Sequence, residues 1–277
     1  MALGTTTALQ AQEVDYSSLE ISWMQAEVKM KERCLQLTNT LASSNMGDLY
    51  LEGFYSTRTK KDLAVGFDLT FVDVTADKVI ELIPAVDSLM PMLKTFKGML
   101  DMEMAATSQM DTTMSLVMPS VNGVIEIGGK NLSLHENPTV DKLADILMFK
   151  NRKTWSVDSL SVHGIIKDNS LEIFPFVIRI DRYTLALDGL QHFDTNFKYH
   201  LSVLRSPIPV RFGINLRGNF DNWKWDLGKS KYRNSKVPSF ADQIEGMRLG
   251  LINSIHGVFS TGADGVLRQN LMNSEAV

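Results

Sequence analysis

Hydrophobic and polar residues alternate with a period of two over most of residues 155–227. Successive side chains of a strand point to opposite faces of the sheet, so this period places each apolar set on one face. After Pro175 the phase of the alternation shifts by one residue. We call the apolar positions the face set: Leu171, Ile173, Phe176, Ile178, Ile180, Tyr183, Leu185, Leu187, Phe197, Tyr199, Leu201, Val203, Phe212, Ile214 and Leu216.

The breaks between these apolar runs are short and rich in turn-forming residues. They fall at residues 167–170, 181–182 and 188–194. Connections of this length join strands that are antiparallel neighbours. The pattern therefore predicts a long, curved, antiparallel meander with one apolar concave face.

The first half of the chain contains further strand patterns. Leu63 to Phe71 alternate without a break, which predicts one strand. Residues 19–37 fit a period of two with slips, whereas their composition suits a helix, and the period favours strands. Residues 121–134 are expected to form two strands that meet at Gly128 and Gly129.

Three segments show helical spacing instead. Residues 77–96 repeat apolar positions at three and four, but Pro84 and Pro91 divide them into two short helices or one kinked helix. Residues 138–149 follow Asn137, which is a favourable N-cap residue. The helical inserts at residues 77–96 and 138–149 are both expected to lie across the sheet, because their apolar sides must be buried. A last amphipathic helix is expected near residues 240–259. Its apolar stripe is Ile244, Met247, Leu251, Ile255 and Val258.

These patterns define the expected fold and domains. The fold class is α+β and β-dominated, with two short helical inserts on the sheet and a C-terminal amphipathic helix. Residues 1–18 form a loose N-terminal segment, residues 19–233 a β-rich domain, and residues 234–277 a linker, the last helix and a tail that is disordered after Thr261.

Composition excludes several classes of protein. Lys plus Arg number 28 against 32 Asp plus Glu, and without a basic stripe a nucleic-acid partner is not expected. One cysteine, Cys34, excludes an internal disulfide and a multi-cysteine metal cage, and it is expected to be a small core residue. We expect no signal peptide and no transmembrane helix in this chain.

No catalytic motif is present. The chain has no G-x-S-x-G, P-loop or dinucleotide-binding pattern, and none of its five histidines pairs at the spacing of a helical zinc site. His192 and His200 could meet at a sheet edge, but isolated histidines are ordinarily structural. Trp223 and Trp225 are expected on the buried face of a strand. The sequence therefore predicts no enzyme, no metal site and no cofactor.

A series of segments in order resembles the C-terminal region of AsmA-family proteins in their Bacteroidetes form. The resemblance spans residues 20–233, and it depends on the order and spacing of the segments, because no single motif is diagnostic. The segments are FDLTFVDVTADKVIELIPAVDSLMPMLKTFKG, VNGVIEIGGKNLSL, NPTVDKLADILMFKN, LEIFPFVIRIDRYTLALDGLQHFDTNFKYHLSVL, SPIPVRFGINLRGNF and KSKY.

This resemblance implies a non-enzymatic protein of the Gram-negative envelope, related to bridge-like lipid transfer proteins with a β-groove. Full-length relatives are anchored in the inner membrane by one N-terminal helix, with their bulk in the periplasm. The present chain is shorter and lacks that helix, so it is expected to correspond to the C-terminal portion. The implied function is binding or transfer of phospholipid along the face set, in support of outer-membrane assembly.

Two questions stay open at the level of sequence. The inserts at residues 77–96 and 138–149 either leave the apolar face as an open groove or cover it as an ordinary core. In the second case the protein is a closed interaction module, and the helix at residues 240–259 is the expected contact with an envelope membrane protein.

Overall fold

The computed structural model describes residues 20–45, 47–59, 62–82, 93, 95–134, 138–147, 156–180, 182–194, 196–207, 211–219, 222–232 and 236–275. The described residues form thirteen strands in one sheet. The strands are β1 (Ile21–Lys31), β2 (Cys34–Ser44), β3 (Gly47–Thr59), β4 (Asp62–Thr75), β5 (Phe96–Lys97), β6 (Met99–Met110), β7 (Asn122–Leu134), β8 (Ser156–Lys167), β9 (Ser170–Ile180), β10 (Tyr183–His192), β11 (Phe197–Arg205), β12 (Gly213–Gly218) and β13 (Trp223–Gly228).

The order of strands in the sheet follows the order along the chain. Each strand pairs antiparallel with the next one, from β1 at one edge to β13 at the other. The exception is β5, which pairs with the end of β7 while β4 pairs directly with β6. The predicted antiparallel meander and the β-dominated α+β class are confirmed.

Two tight turns account for the register of their hairpins. Glu32 and Arg33 have φ angles of 49° and 65°, and Asp168 and Asn169 have φ angles of 50° and 59°. Two successive positive φ angles are typical of the hairpin turn whose twist matches that of the strands. The predicted turn at residues 167–170 is confirmed, and residues 21–31 and 34–37 belong to strands rather than to a helix.

The shift of phase at Pro175 is a β-bulge. Phe176 pairs with Leu187 and Ile173 pairs with Gly189, so β9 has one residue more than β10 between these pairs. The extra residue returns the apolar positions on both sides of the bulge to the same face. Phe174 faces the opposite way and stacks on Phe240, with 4.4 Å between ring centroids.

Five α-helices lie in the described part of the chain. The helices are α1 (Ala76–Leu82), α2 (Pro138–Leu147), α3 (Ala241–His256), α4 (Val258–Thr261) and α5 (Ala263–Glu275). The helix expected at 138–149 is confirmed to Leu147, and residues 148–149 lie outside the described residues. The helix expected at 77–96 is confirmed only as α1, because residues 83–92 are not described and Phe96 pairs with Leu134 in β5.

Three sequence predictions are wrong. Residues 122–134 form the single strand β7, because Gly129 makes room for Leu100 and Leu132 instead of forming a turn. A β-carbon at Gly129 would lie 2.9 Å from Leu100 Cδ2 and 2.8 Å from Leu132 Cδ1. Residues 188–192 continue β10, so the connection to β11 is shorter than predicted.

The third error concerns the tail after Thr261, which is helical in α5 rather than disordered. Its apolar residues are sparse, but Ala263 and Val266 pack against the sheet in one cluster with Phe54 and Ala64. The predicted helix at 240–259 is divided at Gly257 into α3 and α4.

The two faces of the sheet have different covers. The face that carries the face set, which we call the cavity face, packs against α1 and α2 in the largest hydrophobic cluster. The opposite face, which we call the helix face, packs against α3, α4 and α5 in two smaller clusters. The sheet is therefore the middle of three layers.

Candidate functional site

The structure brings the whole face set into one cluster on the cavity face. Most of its members are buried, and Ile178, Leu187 and Phe212 are partly buried against the same cluster. The alternation in the sequence therefore identified the residues of this face correctly. The face set is largely buried, and α1 and α2 pack on it.

Helix α2 crosses the cavity face and is held at two points. The Tyr183 hydroxyl group donates a hydrogen bond to the carbonyl oxygen of Leu147, at 2.8 Å. Lys142 Nζ donates to the carbonyl oxygen of Trp223, at 3.1 Å, and lies 3.9 Å from the centre of the Trp223 ring. A cation over an indole ring is attracted by the electron density of its face. These contacts attach α2 to β10 and β13.

Beneath α2 the cluster surrounds a partly open cavity of about 150 Å³. Among the described residues of its wall, only Thr95 and Tyr199 carry a side-chain oxygen. Cavities with such walls stay dry and accept hydrocarbon. The wall is formed by Leu93, Thr95, Phe96, Ile127, Leu134, Leu143, Leu147, Leu160, Val162, Phe176, Ile178, Ile180, Leu185, Leu187, Phe197, Tyr199, Leu201, Leu216 and Trp223.

The face set supplies much of this wall but not all of it. The members that pack around the cavity without lining it are Leu171, Ile173, Tyr183, Val203, Phe212 and Ile214. Sequence reasoning missed Leu160 and Val162 of β8, although they extend the same period of two. Trp223 was expected on the buried face and lines the cavity, whereas Trp225 on the edge strand is 41% exposed.

One polar pair is buried beside the cavity, in which Tyr199 lines the wall and Gln191 lies behind it. The Tyr199 hydroxyl group donates to Gln191 Oε1 at 2.9 Å, and Gln191 Nε2 donates to the carbonyl oxygens of His192 and Asn196. Gln191 is fully buried, and burial raises the pKa of Tyr199 far above its ordinary value. The pair is satisfied, as buried polar groups must be.

Substituting Gln191→Leu should lower the free energy of unfolding by about 2 kcal/mol, because it leaves the Tyr199 hydroxyl group buried without an acceptor. Adding Tyr199→Phe removes the stranded hydroxyl group and should recover about 1 kcal/mol. Urea unfolding of the two variants measures both effects. A double variant less stable than Gln191→Leu would contradict this account.

The helix face is occupied by the C-terminal stripe. Ile244, Leu251, Ile255 and Val258 are buried, and Met247 is half-buried. The stripe packs on sheet residues such as Val124 and Ile165 instead of facing solvent. The surface expected to dock an envelope membrane protein is therefore covered by the chain's own sheet.

Ionic contacts fix α3 on this face. Arg248 Nε donates to Asp68 Oδ1 at 3.1 Å, and Arg248 Nη2 donates to Thr70 Oγ1 at 3.2 Å. The same guanidinium group forms an ion pair with Glu103, and His256 contacts Glu52. Sequence patterns gave no signal for these pairs, since their members are up to 204 residues apart.

His200 has structural surroundings. His200 Nδ1 lies 2.7 Å from Asn215 Oδ1, and its Nε2 lies 3.1 Å from Ser202 Oγ. The register places His200 opposite Asp188, whereas His192 ends β10. Within the described ranges, no group of three or more His, Cys, Asp or Glu side chains is arranged to hold a metal ion. Cys34 is buried in the cluster beneath α4 and α5, as predicted.

No helix in the described part of the chain has both the length and the apolar character needed to cross a membrane. Comparison of the chain with family models, with curated proteins and with solved structures gives no match.

Proposed function

We propose that the chain is a non-enzymatic envelope protein of the AsmA type that binds or transfers phospholipid through its acyl chains. The observation that carries this proposal is the cavity of about 150 Å³, whose wall is almost entirely hydrocarbon. Each methylene group moved from water into such a site contributes about 0.8 kcal/mol. An acyl chain is the biological ligand whose chemistry matches this wall.

The size of the cavity sets how much of a lipid it can hold. A hydrocarbon cavity of this volume accommodates a group about the size of benzene. It can therefore take the end of one acyl chain while α2 stays in place. A longer part of the lipid requires α2 to move away from the sheet, which would break the contacts of Lys142 and Tyr183.

The proposed periplasmic location and the role in outer-membrane assembly depend on the resemblance over residues 20–233. The antiparallel meander with one continuous apolar face is compatible with that resemblance. Phospholipid is the proposed partner, and neither a cofactor nor a metal ion is part of the proposal.

A cavity-filling substitution tests the proposal without placing a charge in the core. Leu143 of α2 lines the cavity, whereas Ile146 of the same helix packs against the cluster without lining it. Leu143→Trp should reduce the phospholipid bound to the protein at least fivefold, and Ile146→Trp should leave it near the wild-type value. Native mass spectrometry after incubation with phosphatidylethanolamine vesicles gives the bound amount.

Circular dichroism establishes that both variants are folded. A folded wild-type protein that emerges without lipid would overturn the proposal. So would equal binding by the two variants, since the cavity would then not be the site.

A further inference from the structure

Within the described part of the chain, strand β1 is an uncovered edge of the sheet. All eleven of its residues are exposed, and among the described residues it pairs only with β2. The exposed residues include large apolar ones such as Met24, Val28 and Met30, at 59%, 59% and 76%. Long apolar edges are ordinarily shortened, covered or paired, because their free backbone groups bind other strands.

Strand β1 is regular from Trp23 to Lys31, the segment that could pair with another strand. The irregular pairing near Glu27 places the extra residue on β2, where Asn39 has a φ of 51°. From Trp23 to Lys31 the side chains of β1 therefore alternate without interruption. An uninterrupted strand presents an even row of backbone groups to a partner.

Cross-strand partners show which residues of β1 share a face. Lys29 pairs with Gln36, whose side-chain amide donates to carbonyl oxygens of α3 on the helix face. Glu27, Lys29 and Lys31 therefore belong to the helix face. The intervening positions Met24, Ala26, Val28 and Met30 extend the cavity face to the edge of the sheet.

We propose that β1 is an interface between two copies of this chain, which pair antiparallel about a two-fold axis at Val28. This register places Glu27 of each copy opposite Lys29 of the other, so that two ion pairs form on the helix face. It places Val28 opposite Val28 and Ala26 opposite Met30 on the cavity face. Opposite charges and apolar side chains that face each other across strands are stabilising.

The charges select this register over its neighbours. An axis at Glu27 or at Lys29 would place two like charges directly opposite each other, which is destabilising. An edge carrying lysines alone would repel a second copy, which is a known means of blocking such contacts. Glu27 instead makes the charge pattern of β1 complementary to itself. The resulting contact is isologous and closed, so it ends at a dimer.

Charge exchange tests this pairing. Glu27→Lys and Lys29→Glu each place like charges at both cross-strand positions, whereas the double variant restores opposite charges. Sedimentation velocity of the full chain over a range of concentrations measures the association. We expect a dimer for the wild type, a dissociation constant raised at least tenfold for each single variant, and recovery to within about threefold in the double variant.

Crosslinking tests the position of the axis. Opposite β-carbons in an antiparallel pair lie about 5 Å apart, so Val28→Cys should give a disulfide-linked dimer on oxidation. Met24→Cys should not, because its symmetry mate would lie roughly 26 Å away at about 3.3 Å per residue. The wild type serves as the control for Cys34, which is buried.

Each outcome decides the proposal. A wild-type protein that is monomeric at all concentrations overturns it. So would the finding that another segment of the same chain pairs with the free side of β1. A dimer that is insensitive to charge reversal, or that crosslinks equally through Met24→Cys, overturns the β1 register. The pairing does not depend on lipid binding, and lipid retention by the monomeric variants distinguishes failure of one proposal from failure of the other.

Discussion

Replacing Arg248 with leucine should lower the free energy of unfolding by about 3 kcal/mol at pH 7. The Arg248 and Asp68 side chains are only 16% and 15% exposed. Removing the guanidinium group leaves the carboxylates of Asp68 and Glu103 beneath α3 without the ion-pair partner that they share. Removal of one partner from a buried ion pair is strongly destabilising for this reason.

The loss should depend on pH in a defined direction. Burial raises the pKa of Asp68 and of Glu103 above their ordinary values, and Arg248 opposes the rise in both. A carboxyl group with a raised folded-state pKa contributes stability below its unfolded pKa and loses that contribution as the pH rises through the folded value. Without Arg248 both folded-state pKa values rise further. The deficit of the Arg248→Leu variant should therefore shrink as the pH falls from 7 toward 5.

Urea unfolding at the two pH values measures this effect. Arg217→Leu is a matched control, because Arg217 is 64% exposed and pairs with Asp226 at the surface. Exposed pairs contribute at most about 1 kcal/mol, so this control should lose little at either pH. An Arg248→Leu variant as stable as the control would show that the ion pairs do not hold α3.

Substituting Gly123→Ala should lower the free energy of unfolding by about 3 kcal/mol, which is at the upper end of the range for overpacking. A β-carbon at Gly123 would lie 2.5 Å from the carbonyl oxygen of Ala105 and 2.6 Å from Ala106 Cβ. Neither neighbour can rotate away, because one is backbone and the other is the first atom of its side chain. Strand β6 is paired on both sides, so it cannot move aside.

Gly128 on the same strand provides the control. The nearest atom to a β-carbon at Gly128 is Asp101 Cβ, at 4.0 Å, which is an ordinary contact distance. Gly128→Ala should change the free energy of unfolding by less than about 1 kcal/mol. The change should be stabilising where the lower conformational entropy of the unfolded alanine chain dominates. Thermal unfolding of the two variants compares them directly, and equal stabilities would contradict the packing argument.

The same glycines show where sequence reasoning succeeds and fails. The period of two identified the strands because alternation is a local property of each strand. The pair Gly128-Gly129 was taken for a turn, since glycine is common both in turns and where backbones approach closely. Only the positions of Leu100 and Leu132, on two different strands, distinguish these cases.

The candidate site was predictable in part for a related reason. Alternation specified which side chains share the cavity face, and the face set occupies that face in the structure. The volume left beneath α2 depends on contacts between distant segments, such as Lys142 with Trp223. An amphipathic stripe shows that a helix needs cover, but it does not show which surface provides it. The stripe of α3 was therefore not assigned to the helix face.

The order of the strands has a consequence for how the chain folds. Strands that are neighbours in the sheet are mostly consecutive along the chain. Each hairpin can therefore form as soon as its own residues are available, and closing its short loop costs little entropy. The contacts of α3 are different, since Arg248 and Asp68 are 180 residues apart. During synthesis the apolar side chains of the helix face, such as Phe54 and Val124, would stay exposed to solvent until residues 241–275 have been synthesised. Residues 241–275 are therefore the last to be made and the ones that cover this face. A chain truncated before them would expose the apolar face of the sheet and would be prone to aggregation.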